Sequence, residues 1–552
     1  MKNAAIEAAF QGLPTRRSIS DVIFSSRAYQ ASLKSRVPKR LSLVPVDIFP
    51  GNGERADNIF QGQFAFAGHM LVQGNQEPWH PEREMPLAWH RELHEFGWLR
   101  DFSANGSDAA RRHARALVLS WIAGFDSYLP YVWDEEVLAR RLIAWFCNSG
   151  FLFEKEEAGF NYKFLRSLRR QYVHLNRISK RKLGRGQDKF PTWQALLYGA
   201  LAFPDMQKNN GKFLAEIDRE LNRVVLADGC HISRNPERHL TLLGELLGLR
   251  NTLMTANEMV PVPLNNAIDR LAPAVRFFQH GDGRLAIFNG GAQLEEGYCD
   301  GLLSLSDATG RPPHRFPQGG FERLKAGRAL LILESGEGGR DKTDLRHSGL
   351  LSFEFSYGRD RLIVNCGGAR DFQSSWGRAL GATAAHSTLS FGSLNANFAN
   401  KTGAADDAQT VVRNEEDGNI WLDLESEGYL NTIGIRHRRR LYLDASGLAL
   451  RGEDQIIPER MPTVNHPQFY LRFHLHPDLS VSKSGSGKNI LIRSPSGMGW
   501  KFLTGAPGLS LEESVYCGDP GERRHNQQIV ISGEVSGQEP LLIKWALTRL
   551  SD

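Results

Sequence analysis

Between Asp228 and His239 the chain reads Asp-Gly-Cys-His-Ile-Ser-Arg-Asn-Pro-Glu-Arg-His, which crowds His231, Ser233, Arg234, Asn235, Arg238 and His239 into one short stretch. Imidazoles move protons near neutral pH, while guanidinium and amide groups bind carboxylates. Such a set on a connection between elements is where a rigid scaffold usually presents its chemistry. The plainer alternative is a solvated, capped helix start. Asp228-Gly229 is a turn dipeptide, Pro236 suits a first helical turn, and Leu240, Leu243, Leu246 and Leu247 recur at helical spacing.

Further histidines stand at the starts of strand-like runs. His347 precedes Ser-Gly-Leu-Leu-Ser-Phe, and His386 precedes Ser-Thr-Leu. A lone histidine so placed is more often a hydrogen-bonded structural residue than a ligand. Two with similar placement raise the alternative that they meet in space. His474 and His476 lie two apart in Arg-Phe-His-Leu-His-Pro, a spacing that puts both rings on one face of a strand. Imidazole pairs suit zinc, although no carboxylate stands beside this one as a third ligand.

Two kinds of architecture must position these groups. Residues 1–84 read as a basic, irregular lead-in containing one aromatic-rich hairpin between 58 and 80. From 85 to 275 the apolar spacing is helical. Helices are expected over Ala109–Phe125, Glu135–Cys147, Tyr162–Lys182, Thr192–Leu201, Leu214–Leu226 and His239–Leu249, with a last one over Ala256–Arg276 broken by Pro261, Pro263 and Pro273. From 276 to 552 short alternating runs between Gly, Asp, Asn and Ser turns describe a large antiparallel β domain; they include Leu285-Ala-Ile-Phe, Ala329-Leu-Leu-Ile-Leu and Arg361-Leu-Ile-Val.

Bulk properties narrow the class. With 552 residues and 41% hydrophobic content the chain is too long for one core and too apolar for disorder. A net charge of +5 is a mild excess, and a nucleic-acid binder would concentrate its basic residues more strongly. Five scattered cysteines without a CxxC pair argue against a disulfide framework or a zinc knuckle. No apolar run is long enough to cross a bilayer, and Met1–Ser20 is too short and charged for a secretory core, so the literal expectation is cytoplasmic, with the periplasm or cell envelope as the alternative.

Several motifs together carry a family resemblance. They are Trp89 with Leu93-His94, Phe96 and Trp98-Leu99; Trp133 with Arg140-Arg141; the Asp228–His239 stretch; His347-Ser-Gly-Leu-Leu-Ser-Phe; Leu362-Ile-Val-Asn-Cys-Gly; Thr383-Ala-Ala-His-Ser-Thr-Leu; and Arg472-Phe-His-Leu-His-Pro. In this order the chain resembles the heparinase II/III family of polysaccharide lyases, from about residue 85 to the C-terminus. The resemblance implies an α/α-toroid followed by an antiparallel β-sandwich. It also implies β-elimination on an acidic, uronate-containing polysaccharide, in which cationic or amide groups neutralise the uronate carboxylate while a base removes the C5 proton and an acid protonates the leaving oxygen.

Carried onto this chain, the resemblance makes His231, His239, Arg238 and His347 the catalytic set. Arg234, Asn235, Trp89 and Trp98 become substrate contacts, and His347 with His386 the ligands of a structural zinc. The family's pattern is not complete here. In register, Ser233 stands at the usual glutamate, Arg238 at the usual tyrosine and Asn365 at the aspartate that would complete a zinc site. The usual Asn-His pair has no counterpart at residues 183–190, which read Leu-Gly-Arg-Gly-Gln-Asp-Lys-Phe. The second expectation is therefore a non-catalytic polysaccharide-binding or envelope-assembly protein of the same fold.

Overall fold

In the computed structural model, residues 18–550 are described except 75, 82–83, 155–157, 181–187, 337–346, 370–373, 397–410, 461–465, 486 and 520. The expected position of the Asn-His pair thus falls largely outside the described residues. The chain divides into two compact units, one of residues 1–224 with 244–266, the other of residues 225–243 with 267–552.

The first unit is helical apart from one hairpin, β1 (Gln63–Phe66) with β2 (His69–Val72). Its helices include Leu87–Glu95, Asp108–Phe125, Glu135–Cys147, Ala158–Ile178, Phe190–Ala202 and Asn210–Val224. Ser107 and Asp134 cap the second and third of these by accepting from Ala110 N–H and Glu136 N–H. Every residue of Phe190–Ala202 is buried, as expected of a helix apolar all round, and the unit is built about it. Gly199 is required there, because a Cβ would lie 2.2 Å from the Tyr172 ring.

The second unit holds two large antiparallel sheets. Its strands are β3 (Arg315–Phe316), β4 (Phe321–Ala326), β5 (Ala329–Glu334), β6 (Phe353–Tyr357), β7 (Asp360–Val364), β8 (Leu389–Phe391), β9 (Val412–Glu416), β10 (Asn419–Tyr429) and β11 (Ile435–Leu443). They continue with β12 (Ala449–Pro458), β13 (Gln468–Leu475), β14 (Ser480–Lys483), β15 (Asn489–Arg493), β16 (Gly499–Thr504), β17 (Leu509–Tyr516), β18 (Arg524–Glu534) and β19 (Leu541–Arg549). One sheet runs β17-β18-β13-β7-β6-β5-β4-β3, with β8 also on β13, and the other β14-β15-β16-β19-β12-β11-β10-β9. Alternation on β10 and β11 turns Ile420, Leu422, Leu424, Leu441 and Leu443 into a core shared with Leu331, Phe353, Phe355 and Phe473 of the first sheet.

One charged group is sealed inside this sandwich. Arg439 and Asp454 are wholly buried and paired at 2.7 Å, and Asp454 also accepts from His437 Nε2 and Trp545 Nε1. Arg439 Nη1 donates to the carbonyls of Leu351 and Ser387 on the opposite sheet's side, at 2.6 and 3.1 Å. Held by these bonds from both sheets, the pair ties the layers together.

Two expectations are corrected. Leu285–Phe288 is not a strand, because its donors turn elsewhere: Leu285 N–H to Gln293 O, Ala286 N–H to Phe278 O and Ile287 N–H to the Glu354 carboxylate. Nor do the prolines break the last helix, which runs unbroken as Val262–Phe278 with Pro263 in its first turn and Pro273 inside.

Candidate functional site

The Asp228–His239 stretch groups with the β-rich unit, although it leads into the helix Pro236–Thr255. Gly229, at φ +89°, makes the turn, where a Cβ would lie 2.7 Å from Arg270 O. Asp228 pins it down: one carboxylate oxygen accepts from Cys230 N–H, the other from Gln318 N–H and Gly319 N–H at 2.7 and 2.9 Å. Asn235 caps the helix, its Oδ1 accepting from Arg238 N–H and its amide donating to Asn289 O at 3.1 Å.

Two residues read as chemistry are held as structure. His239 is fully buried; its Nδ1 lies 2.7 Å from Asn235 O and so carries the proton, while Nε2 accepts the His231 N–H at 2.7 Å. Both nitrogens are spent on backbone groups, and burial lowers the imidazole to about 4. A proton carrier needs a nitrogen turned to substrate, and His239 has none. Arg234, also buried, sits at φ +58° and pairs with Glu334 at 3.0 Å. Its guanidinium further donates to Gly319 O and Gly320 O and lies over the Phe321 ring. That cation neutralises Glu334 rather than a substrate carboxylate.

Trp89 and Trp98 are core residues of the helical unit and not a stacking platform. They are 0% and 4% exposed, and their indole N–H groups donate to Phe64 O and Leu93 O. What remains of the expected set is His231, whose Nδ1 accepts the Ser233 N–H at 3.1 Å, and the half-buried Arg238.

His347 and His386 do meet, with His347 Nδ1 3.2 Å from His386 Nε2. His386 Nδ1 lies 2.8 Å from Ala382 O and must donate to it, so its Nε2 accepts. His347 Nδ1 is then the donor. Burial, reinforced by the neighbouring ring, lowers His347 to about 3, and burial alone lowers His386 to about 4, so both are neutral at pH 7.

Glu334 joins this pair to the Asp228–His239 stretch. Its Oε1 meets Arg234, while its Oε2 lies 3.0 Å from where a Gly349 Cβ would stand and His386 Cδ2 2.7 Å from the same point. Gly349 is what lets the groups close up. Glu334 directly follows the apolar run Ala329–Leu333, and a carboxylate closing such a run is the sequence signal for it.

The residues do not fit a zinc ion. Asn365, in the expected third position, spends its Oδ1 on Ser387 N–H and its amide on Ile287 O. His474 and His476 part company as well: His474 lies between Ser514 Oγ and Ala384 O, whereas His476 turns to Asp478. Among the described residues no three His, Cys, Asp or Glu side chains are placed to hold a metal.

The heparinase II/III-like C-terminal domain matches residues 308–546. FtsZ-localized protein C of Caulobacter vibrioides (strain NA1000 / CB15N) is 30% identical over 550 residues, 95% of this chain and 93% of that protein. The chain belongs to the heparinase II/III-like family. Solved structures agree on the fold. A crystal structure of heparinase III matches with a TM-score of 0.70 at 14% identity, covering 100% of this chain and 89% of that one. Heparan sulfate lyase HepC from Pedobacter heparinus matches at 0.55 and 14% identity, covering 100% and 88%. This member of the family thus shares the lyases' helical part and large antiparallel sheets. No helix among the described residues is long and apolar enough to cross a membrane.

Proposed function

We propose that this chain keeps the lyase fold as a binder of acidic polysaccharide and does not carry out elimination. One observation carries the reading. The charged and proton-bearing groups of the family's marker stretch are consumed internally, His239 by two backbone groups and Arg234 by Glu334. The Ser233 and Arg238 replacements point the same way, since neither supplies the carboxylate or the phenol of the family's pattern. Arg238 remains the type that would hold a uronate. By relation to a protein named for localisation with FtsZ, the same reading gives this chain a recruiting role beside FtsZ in envelope assembly.

The test is to incubate purified protein with heparan sulfate, hyaluronan, alginate and bacterial exopolysaccharides. Binding is followed by affinity electrophoresis and unsaturated uronate by ultraviolet absorbance. Retarded migration without product is expected; sustained product formation that disappears in Arg238→Ala would overturn the reading.

One observation favours elimination as the second reading. The hydrogen-bond chain from His347 through His386 to Ala382 orders two imidazoles that are neutral at pH 7, the protonation state from which a general base starts. Under that reading His347→Ala abolishes turnover and leaves polymer retention intact.

A further inference from the structure

The sheet β14-β15-β16-β19-β12-β11-β10-β9 turns one face to the core and the other to solvent. With Ile420, Leu422, Leu441, Leu443 and Leu450 facing inward, alternation sends Trp421, Tyr442 and Arg451 outward. The three stand side by side on neighbouring strands, since Trp421 pairs with Tyr442 and Tyr442 with Arg451. They form a row that crosses β10, β11 and β12.

The aromatic half of the row is open and held in place. Trp421 is 38% exposed, and no other tryptophan among the described residues is as open. Its ring centroid lies 5.1 Å from that of Tyr442, with the planes tilted by 50°. The Tyr442 hydroxyl donates to Asn419 Oδ1 at 2.9 Å, which fixes that ring. The Arg451 guanidinium lies over it, 5.5 Å from the centroid.

Charge narrows the ligand. On the same face Arg438 and Arg440 neutralise Asp423, and Arg440 and Lys544 neutralise Glu453. Arg451 pairs with no carboxylate among the described residues, and neither does Lys501, two strands away on β16. The row therefore offers aromatic faces followed by cations free to meet an anion. Pyranose rings present C–H faces that pack on aromatic rings, and uronates add carboxylates that a guanidinium binds. Neighbouring strands lie about 4.8 Å apart, close to the rise of one sugar in an extended chain, so successive sugars meet successive side chains.

We propose that Trp421, Tyr442 and Arg451 form a platform that binds a run of sugars in an acidic polysaccharide, as a second contact besides Arg238. The choice of polymer rests on the functional reading above; the platform is a separate place to hold it.

The test is fluorine NMR on the full chain labelled with 5-fluorotryptophan, the Trp421 resonance being assigned from its loss in Trp421→Phe. Oligosaccharides of alginate, hyaluronan and heparan sulfate are titrated in, with neutral cello-oligosaccharides as the control. The Trp421 resonance is expected to shift with an acidic oligosaccharide, in the parent and in Arg238→Ala alike, and to shift less with the neutral one. Trp421→Ala should weaken retention in affinity electrophoresis by about threefold to tenfold, and Arg451→Glu by at least as much, with melting midpoints unchanged because both side chains face solvent. Retention of the parent without movement of the Trp421 resonance overturns the platform and leaves the functional reading standing. Sustained elimination product with a shifting Trp421 resonance overturns that reading and leaves the platform. An equal shift with the neutral sugar overturns the acidic assignment, and neither retention nor shift with any polymer overturns both.

Discussion

The His231 N–H donates to Nε2 of His239 at 2.7 Å, so one histidine of the marker stretch is scaffolding for the other. His239 is locked from both sides, and the lock fixes where His231 and Ser233 stand.

Replacing His239 by alanine leaves the buried His231 N–H without an acceptor. The expected loss is about 1–3 kcal/mol of stability, read from urea unfolding followed by tryptophan fluorescence. An unfolding midpoint equal to the parent's would show that the bond contributes nothing.

Acid should weaken the fold in a defined window. His239 and His386 are lowered to about 4, His347 and His474 to about 3, all principally by burial. Each folded value lies below the ordinary imidazole value near 6.5. The unfolded chain therefore takes up protons first as pH falls, and the stability present above that value is lost progressively down to about pH 3–4. Glu95, raised to about 7 by burial, acts in the opposite sense, as do Asp101, Asp126, Glu135 and Glu322, but His90 and His476, lowered to about 4, add to the histidine set. Thermal midpoints measured from pH 8 to pH 4 should drop steadily below pH 6.5, and a flat profile contradicts the assignment.

Asp454 is the anion that Arg439, His437 and Trp545 share. Asp454→Ala strands a buried guanidinium and should cost about 3–5 kcal/mol. A double variant, Asp454→Leu with Arg439→Met, should recover much of that loss in denaturant titration. If the double variant is as unstable as the single, the penalty is not that of an unpaired charge.

Arg238→Ala should weaken retention by heparan sulfate or alginate in affinity electrophoresis and reduce the sensitivity of retention to salt. Salt-sensitive binding that is unchanged in the variant places the polymer elsewhere.

Zinc should not stabilise the protein. With Asn365 committed to Ser387 and Ile287, the two imidazoles lack a third ligand among the described residues. Equimolar zinc or a chelator should move the melting midpoint by no more than about 1 °C, against the several kcal/mol a true site would add.

What the sequence reveals follows from where side chains report their own surroundings. Glu135–Cys147 is readable at both ends because Asp134 caps it and its apolar residues repeat at helical spacing. β12 is hidden: its inward positions include Gly452 and Asp454, so alternation does not look apolar. Leu285–Phe288 misleads in the other direction, being apolar and buried with an isolated bridge from Leu285 to Gln279 in place of a ladder. At the site, the types of residue were visible but their commitments were not. Whether Arg234 meets a substrate or Glu334 depends on a contact a hundred residues apart, about which local spacing is silent.

The buried Arg439 has a consequence for how the histidine pair could change. Its Nη1 holds the carbonyls of Leu351 and Ser387, the second of these adjacent to His386 and the first a few positions after His347. A side chain of the opposite sheet therefore sets the spacing of the two loops. Altering that spacing by evolution or design is not a local matter, and substitutions at β11 or β12 should register in the imidazole resonances of His347 and His386 before any residue beside them is touched.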